Sequence, residues 1–189
     1  MSRIITLITG GARSGKSDFA QEFALNSSEP VLFVATATAD DEEMRRRIEQ
    51  HQRSRPDSWK TLEASAHIGS QILQNIDKNR TVIIDCITLL LNNIFMQHFP
   101  DTKGRLDIPL IEGEIIVELD ELISCVNSID TNFIIVTNEV GLGIVPADRM
   151  TRLYRDLLGK ANQMLARRAD KVYLMVAGIP LLLKPFKAI

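Results

Sequence analysis

Gly10, Gly15, Lys16 and Ser17 occupy the fixed positions of the pattern G-x-x-x-x-G-K-[ST] in the stretch GGARSGKS. Residues of these types at this spacing bind phosphate. Glycines let consecutive backbone N–H groups converge on phosphate oxygens, and the helix that follows points the positive end of its dipole at them. The loop would consist of Gly10, Gly11, Ala12, Arg13, Ser14 and Gly15. Lys16 would reach the β- and γ-phosphates, and the Ser17 hydroxyl would hold Mg2+. The flanks agree with this assignment. Apolar Ile4–Ile8 leads in, and Phe19, Ala20, Phe23 and Ala24 follow at helical spacing. The motif implies a nucleoside triphosphate and leaves the reaction open.

Further candidates lie where other apolar runs end. The segment ATATADDEEMRRRIEQHQRSRP follows Val31–Ala35. Asp40 with Glu43 fits a helix-capping pair, and Asp41/Arg45, Glu42/Arg46 and Glu43/Arg47 stand at i,i+4, so much of this charge reads as a solvated helix surface. Met44, Ile48 and His51 share one face of that helix, which stops before Pro56. His51 has two readings: a packed or helix-end histidine, or a neutral imidazole nucleophile with Arg53 and Arg55 beside an attacked phosphorus. Glu63, in WKTLEA, is either a surface glutamate or an acceptor for a ribose or base group. Asp85 ends the run Val82–Ile84, where a phosphate-loop protein places a carboxylate on the Mg2+ side. An N-cap for the helix starting near Ile87 is the competing role. Asn138 and Glu139 end the run Phe133–Thr137 and are site candidates without assigned roles.

Those residues need a scaffold that brings strand ends together. Apolar runs Ile4–Ile8, Val31–Ala35, Thr81–Cys86, Phe133–Thr137 and Lys171–Val176 read as strands covered on both faces, with a weaker one near Trp59–Leu62. Helices are expected at Ser17–Asn26, Asp41–Arg53, Ala66–Ile76, Ile87–Gln97, Ile108–Val126 and Ala147–Arg168. The Pro- and Gly-containing stretch His98–Asp107 reads as a mobile surface loop. This is an α/β pattern with a mostly parallel sheet, whose ligands sit beyond the carboxyl ends of the strands. At 189 residues the chain suits one domain spanning 1–189. A net charge of -2 gives no argument for nucleic acid or an anionic membrane. The N-terminal apolar run is too short for a membrane span and ends in the glycine loop. Cys86 and Cys125 show no metal spacing, and Cys86 reads as a small buried hydrophobe within a strand. A reduced cytoplasm is the expected location. His67 and His98 read as surface residues.

Together, TGGARSGKS, FVATATADDEEMRRRIEQHQRSRP, TLEA, VIIDCITLLLNNIF and IIVTNEVGLGIVPADRMTRLYRDLLGKANQMLARRADKVYLMVAGIP resemble the bifunctional adenosylcobinamide kinase/adenosylcobinamide-phosphate guanylyltransferases of cobalamin synthesis. The resemblance covers nearly the whole chain and is weakest over residues 97–110. It implies a RecA-like P-loop fold, a homotrimer, and two reactions. ATP or GTP would phosphorylate adenosylcobinamide, and GMP from GTP would then pass through a guanylylated histidine to adenosylcobinamide phosphate. The family's R-I-x-x-H segment maps onto Arg47, Ile48 and His51. Nucleotide contacts carry over to Gly10–Ser17 and to Ala35, Thr36, Ala37, Gln52, Arg53, Ser54, Arg55, Glu63 and Asp85. Some members have glutamate at the place of Asp85. Some carry a second histidine where Gln50 stands, which leaves the nucleophilic role here to His51. A plain small-molecule kinase and a nucleotide-binding switch remain the alternatives.

Overall fold

The structure is a computed structural model that describes residues 3–27, 29–38, 42–53, 55–98 and 107–185, with the side chains at 43, 44, 47, 50 and 51 outside the description. Asp40, Asp41 and Ser54, and most of the His98–Asp107 stretch, therefore lie outside the described residues, as do the side chains of Met44, Arg47 and His51.

Seven strands form one sheet: β1 (Ile5–Gly10), β2 (Val31–Ala35), β3 (Lys60–Glu63), β4 (Thr81–Asp85), β5 (Asn132–Val136), β6 (Lys171–Val176) and β7 (Ile179–Lys184). Their spatial order is β3-β2-β4-β5-β1-β6-β7. All neighbours are parallel except β6 and β7. Helices α1 (Lys16–Leu25), α2 (Glu42–Arg53), α3 (Ile68–Asn75), α4 (Ile87–Gln97), α5 (Ile108–Ser128) and α6 (Arg149–Arg168) connect the strands. The weakly signalled strand near Trp59–Leu62 is present as β3. Cys86 is a correction: it lies just past β4, at the N-cap position of α4.

Alternation along the strands splits the core into two layers. On one face, Ile8, Phe33, Ala35, Ile83, Ile134 and Val136 pack with Ala20 and Ala24 of α1, and Phe19, Phe23 and Trp59 close the layer. On the other, Leu7, Leu32, Val34, Val82, Ile84, Phe133 and Ile135 meet the apolar stripes of α3 to α6. Burial on both faces explains why VLFVA in β2 is apolar and buried throughout.

The sequence reading has no counterpart for β7. An Ala177–Gly178 turn, with φ of 51° and 82°, folds β6 into an antiparallel hairpin. Two positive φ values match the twist that two-residue hairpins require. The signal was Gly178 between two apolar runs, and Pro180 fits an edge strand.

Helix α3 has no side-chain cap of its own and is capped from α5. The backbone N–H groups of His67 and Ile68 donate to the two carboxylate oxygens of Glu118, at 2.6 and 2.9 Å, and Ser70 N–H donates to Glu121 at 2.8 Å. Glu118 is only 4% exposed. Removing that carboxylate strands two donors beneath α5. Glu118→Leu should therefore lose stability by about 1–3 kcal/mol, seen as a lower urea midpoint at unchanged slope.

Candidate nucleotide-binding site

Strand register aligns the candidate residues. Ala35 pairs with Glu63 on one side and Asp85 on the other. Asp85 pairs with Val136, which pairs with Ile8. Glu63, Ala35, Asp85, Val136 and Ile8 thus form one row near the carboxyl edge. In-register residues of parallel strands point to the same face, here the face that α1 covers. One strand, β5, separates β4 from β1. At about 4.8 Å per strand step, Asp85 stands roughly 10 Å from the β1 axis.

The phosphate loop leaves β1 at Gly10, whose φ is 152°. A Cβ there would meet the Met175 carbonyl oxygen at 2.5 Å and Ser14 Oγ at 2.9 Å, so the position admits only glycine. Gly11, Ala12 and Arg13 form the exposed outer turn, with Arg13 at φ 57°. Ser14 is buried, and its carbonyl accepts from Gly178 N–H of the β6–β7 turn at 3.0 Å. Gly15 is the N-cap of α1 and offers no side-chain cap, which leaves first-turn N–H groups facing the loop. Lys16 is 7% exposed and donates from Nζ to the Gly11 carbonyl and to Ser14 Oγ, setting its ammonium against the loop's concavity. Ser17 is half-buried in the first turn.

Beyond β2 and β4, Thr36 and Cys86 lock two strand ends together. Thr36 Oγ1 donates to the Cys86 carbonyl at 2.7 Å and accepts from Cys86 N–H at 2.8 Å. Asn93 of α4 donates to the Thr36 carbonyl at 2.9 Å. The Thr36 hydroxyl, N–H and carbonyl are all committed here, the N–H to the Asp85 carbonyl at 3.2 Å, and the residue is fully buried, so it supports Ala35 and Ala37 from behind. Asp85 is not the α4 cap, because Cys86 occupies that position, and its carboxylate makes no hydrogen bond among the described residues. Two oxygen donors of hard character, the Ser17 hydroxyl and this free carboxylate, suit Mg2+.

At the α2 end, Gln52 Nε2 donates to Glu63 at 3.2 Å. Arg53 is exposed and pairs only loosely with Glu49, at 3.8 Å. Arg55 differs from both. Its guanidinium carbon lies 3.7 Å from the centroid of the Phe33 ring. Burial lowers its pKa below the ordinary arginine value, while Asp85 and Glu63 oppose the shift by their charge. His51 sits in the last turn of α2, four residues before Arg55.

Sequence reading missed the polar supports behind this edge. Asn162 of α6 accepts from Thr137 Oγ1 at 2.7 Å and donates to the Asn138 carbonyl at 3.0 Å. Asn138 N–H donates to Thr88 Oγ1, and Tyr154 donates to the Thr88 carbonyl. Glu139 N–H donates to the Gly10 carbonyl, and its carboxylate accepts from Gly141 N–H. Asn138 and Glu139 thus brace the loop's neighbour. Asn162 lies in the RLYRDLLGKANQ part of the segment that carries the resemblance, but nothing in that spacing reveals its partners. His67 is exposed as expected, whereas His98 is half-buried and its Nε2 lies 2.7 Å from Glu114.

A family model described as cobinamide kinase / cobinamide phosphate guanyltransferase matches residues 6–183. The chain belongs to this family. It is therefore an enzyme of the transferase class, with a phosphate loop for its nucleotide. Among curated relatives, the bifunctional adenosylcobalamin biosynthesis protein CobU of Escherichia coli is 38% identical over 96% of this chain and all of its own length. CobP of Pseudomonas aeruginosa, which carries the same description, is 38% identical over 94% of this chain and 96% of its own. Of solved structures, the RadB recombinase is similar at a TM-score of 0.48 and 14% identity, covering 92% of this chain and 74% of that one. No helix among the described residues is long and apolar enough to cross a membrane.

Two outcomes follow from this geometry. Gly10→Ala should leave the far-ultraviolet spectrum unchanged and weaken GTP binding by at least about tenfold in a titration, because the loop must move off Met175. Burial, reinforced by the Asp85 charge, pushes the Cys86 thiol up to about 12, and burial pushes Cys125 up to about 11. Both folded thiols stay protonated at the pH where an unfolded thiol, near 9.0, ionises. Stability is then full below pH 9.0 and declines as pH rises from there toward 12. Iodoacetamide at pH 8 should modify neither cysteine in the native protein and both in guanidinium.

Proposed function

We propose that this enzyme phosphorylates adenosylcobinamide and then guanylylates the resulting phosphate through His51. The observation that carries the reading is the placement of the phosphate loop and the Arg55–Glu63–Asp85 group on one sheet face at one edge. In the first reaction the substrate hydroxyl oxygen attacks the γ-phosphorus of ATP or GTP. The bond from that phosphorus to the β-bridging oxygen breaks, and the hydroxyl proton leaves to solvent. In the second, a neutral His51 ring nitrogen attacks the α-phosphorus of GTP, a P–N bond forms, and the bond to pyrophosphate breaks. A phosphate oxygen of adenosylcobinamide phosphate then attacks the same phosphorus, the P–N bond breaks, and adenosylcobinamide-GDP leaves with the histidine restored.

Lys16 and the N–H groups of Gly11 to Ser17 hold the β- and γ-phosphates. Arg55, with Arg13 of the phosphate loop and Arg53 at the end of α2, answers the charge that develops on the attacked phosphorus. Gln52, Ser54, Glu63, Ala35 and Ala37 line the remaining nucleotide, with Thr36 supporting the two alanines from behind. Mg2+, held by Ser17 and Asp85, would neutralise triphosphate charge when bound. In this reading the chains assemble as trimers, which gives cover to the apolar side chains exposed on β7, among them Ile179, Leu181 and Leu182. Light scattering should return three times the 21.2 kDa of one chain.

The deciding experiment uses GTP labelled at the α-phosphate, followed by denaturation. An acid-labile, base-stable label on the wild-type chain, absent from His51→Ala, is the expected result. A His51→Ala protein that still phosphorylates cobinamide would show the two reactions to be separable. Wild-type protein that phosphorylates cobinamide without taking up label would instead support the plain kinase. Lys16→Ala should depress both reactions by a hundredfold or more, taking a loss of about 3 kcal/mol for a transition-state contact.

A further inference from the structure

Arg55 is held in an unusual way for a half-buried arginine. Its side chain makes no hydrogen bond or ion pair with any described residue, and its Nε is buried without a partner. Arginine brings five N–H donors, and buried donors are rarely left unmet unless a ligand meets them. What fixes the guanidinium is an aromatic surface. It lies over Phe33 at 3.7 Å, and the Phe33 ring runs nearly parallel to the Trp59 indole, 19° apart with centroids at 6.5 Å. A turn makes this possible. Arg55 N–H donates to the Gln52 carbonyl as α2 ends, and Trp59 N–H donates to the Pro56 carbonyl at 3.0 Å just before β3 begins. Residues 55 and 59 are thereby folded back onto the same ring of β2. Phe33 is fully buried on the α1 face, two residues before Ala35 in the row that contains Asp85 and Glu63.

We propose that Phe33 and Trp59 are positioning residues: a two-ring platform that presents the unpaired Arg55 guanidinium to an anionic phosphoryl group of the nucleotide during guanylyl transfer. This rests on the proposed function. A flat cation over an aromatic face keeps its N–H edge free for planar, two-point contact with phosphate oxygens, which hydrogen bonding to Asp85 or Glu63 would consume. The platform also explains why a tryptophan precedes β3, a strand that the sequence signals only weakly. A lysine at position 55 would keep the charge and lose both the stacking and the fork.

The test is the rate of α-label uptake from GTP by the full chain, measured across GTP concentrations in single turnover. Trp59→Leu should slow the maximal rate about tenfold, the size of one lost aromatic pair, because Phe33 loses the ring that seats it under the guanidinium, with little change in the half-saturating GTP concentration. Trp59→Phe should restore most of that rate, which a merely volume-filling role would not require. In an Arg55→Ala background, Trp59→Leu should cost less than about twofold more, since a platform with nothing to hold has no further effect. Equal thermal midpoints for wild type and Trp59→Leu exclude a loss through unfolding. Should the midpoint fall, the double-variant comparison still decides. Trp59→Leu with the full wild-type rate, or with an undiminished loss in the Arg55→Ala background, overturns the platform and leaves guanylylation standing. A wild-type chain that takes up no label overturns the underlying reading and the platform with it.

Discussion

Everything at the active edge depends on a close approach between two strands' ends. β1 must turn into its loop while in contact with the Met175 carbonyl of β6, and the hairpin turn that follows β6 donates back to Ser14. The loop is thus clamped by backbone from one side while Glu139, following β5, donates to Gly10 from the other. Held this way, the N–H groups of the first turn of α1 are fixed before any ligand arrives, and binding charge there requires little reorganisation. The β6–β7 hairpin is part of that clamp, so an element remote from the motif in sequence sets its shape.

The second half of the edge is organised differently. Thr36 and Cys86 tie β2 to β4 through side-chain and peptide groups, and Asn93 ties the same place to α4. These polar contacts spend the groups that are not needed for a ligand. They leave the Asp85 carboxylate and the Arg55 guanidinium, both without hydrogen bonds among the described residues, on the face that α1 also covers. Two opposite charges kept apart near one another, rather than joined in an ion pair, suit a site whose ligand carries both metal and phosphate.

Much of this was legible in the residues. Apolar runs located six of the strands, and the glycine, lysine and serine spacing located the loop, because both signals are local and periodic. The Asp85 position followed from the same logic of strand ends. β7 was missed because its signal is a single Ala-Gly turn, and its side chains are largely exposed, so the run did not read as a buried strand. The clamps through Thr36, Asn93 and Asn162 were illegible for another reason: each joins residues more than twenty positions apart, and polar side chains announce no partner. Arg55 was legible as a cation beside His51 at the end of a helix and again through the resemblance, but its seat on Phe33 needed the fold of the Pro56–Trp59 turn.

The central claim is that one GTP spans from the loop after β1 to the group at the end of α2. A crystal structure with magnesium and a GTP analogue carrying a methylene bridge between the α- and β-phosphorus would measure it directly. The account predicts the β- and γ-phosphates on the Gly11–Ser17 backbone and the α-phosphorus about 3–3.5 Å from a His51 ring nitrogen, with Arg55 on a phosphate oxygen. An analogue seated in the loop with its α-phosphate and guanosine directed toward the β6–β7 hairpin, away from α2, would contradict it.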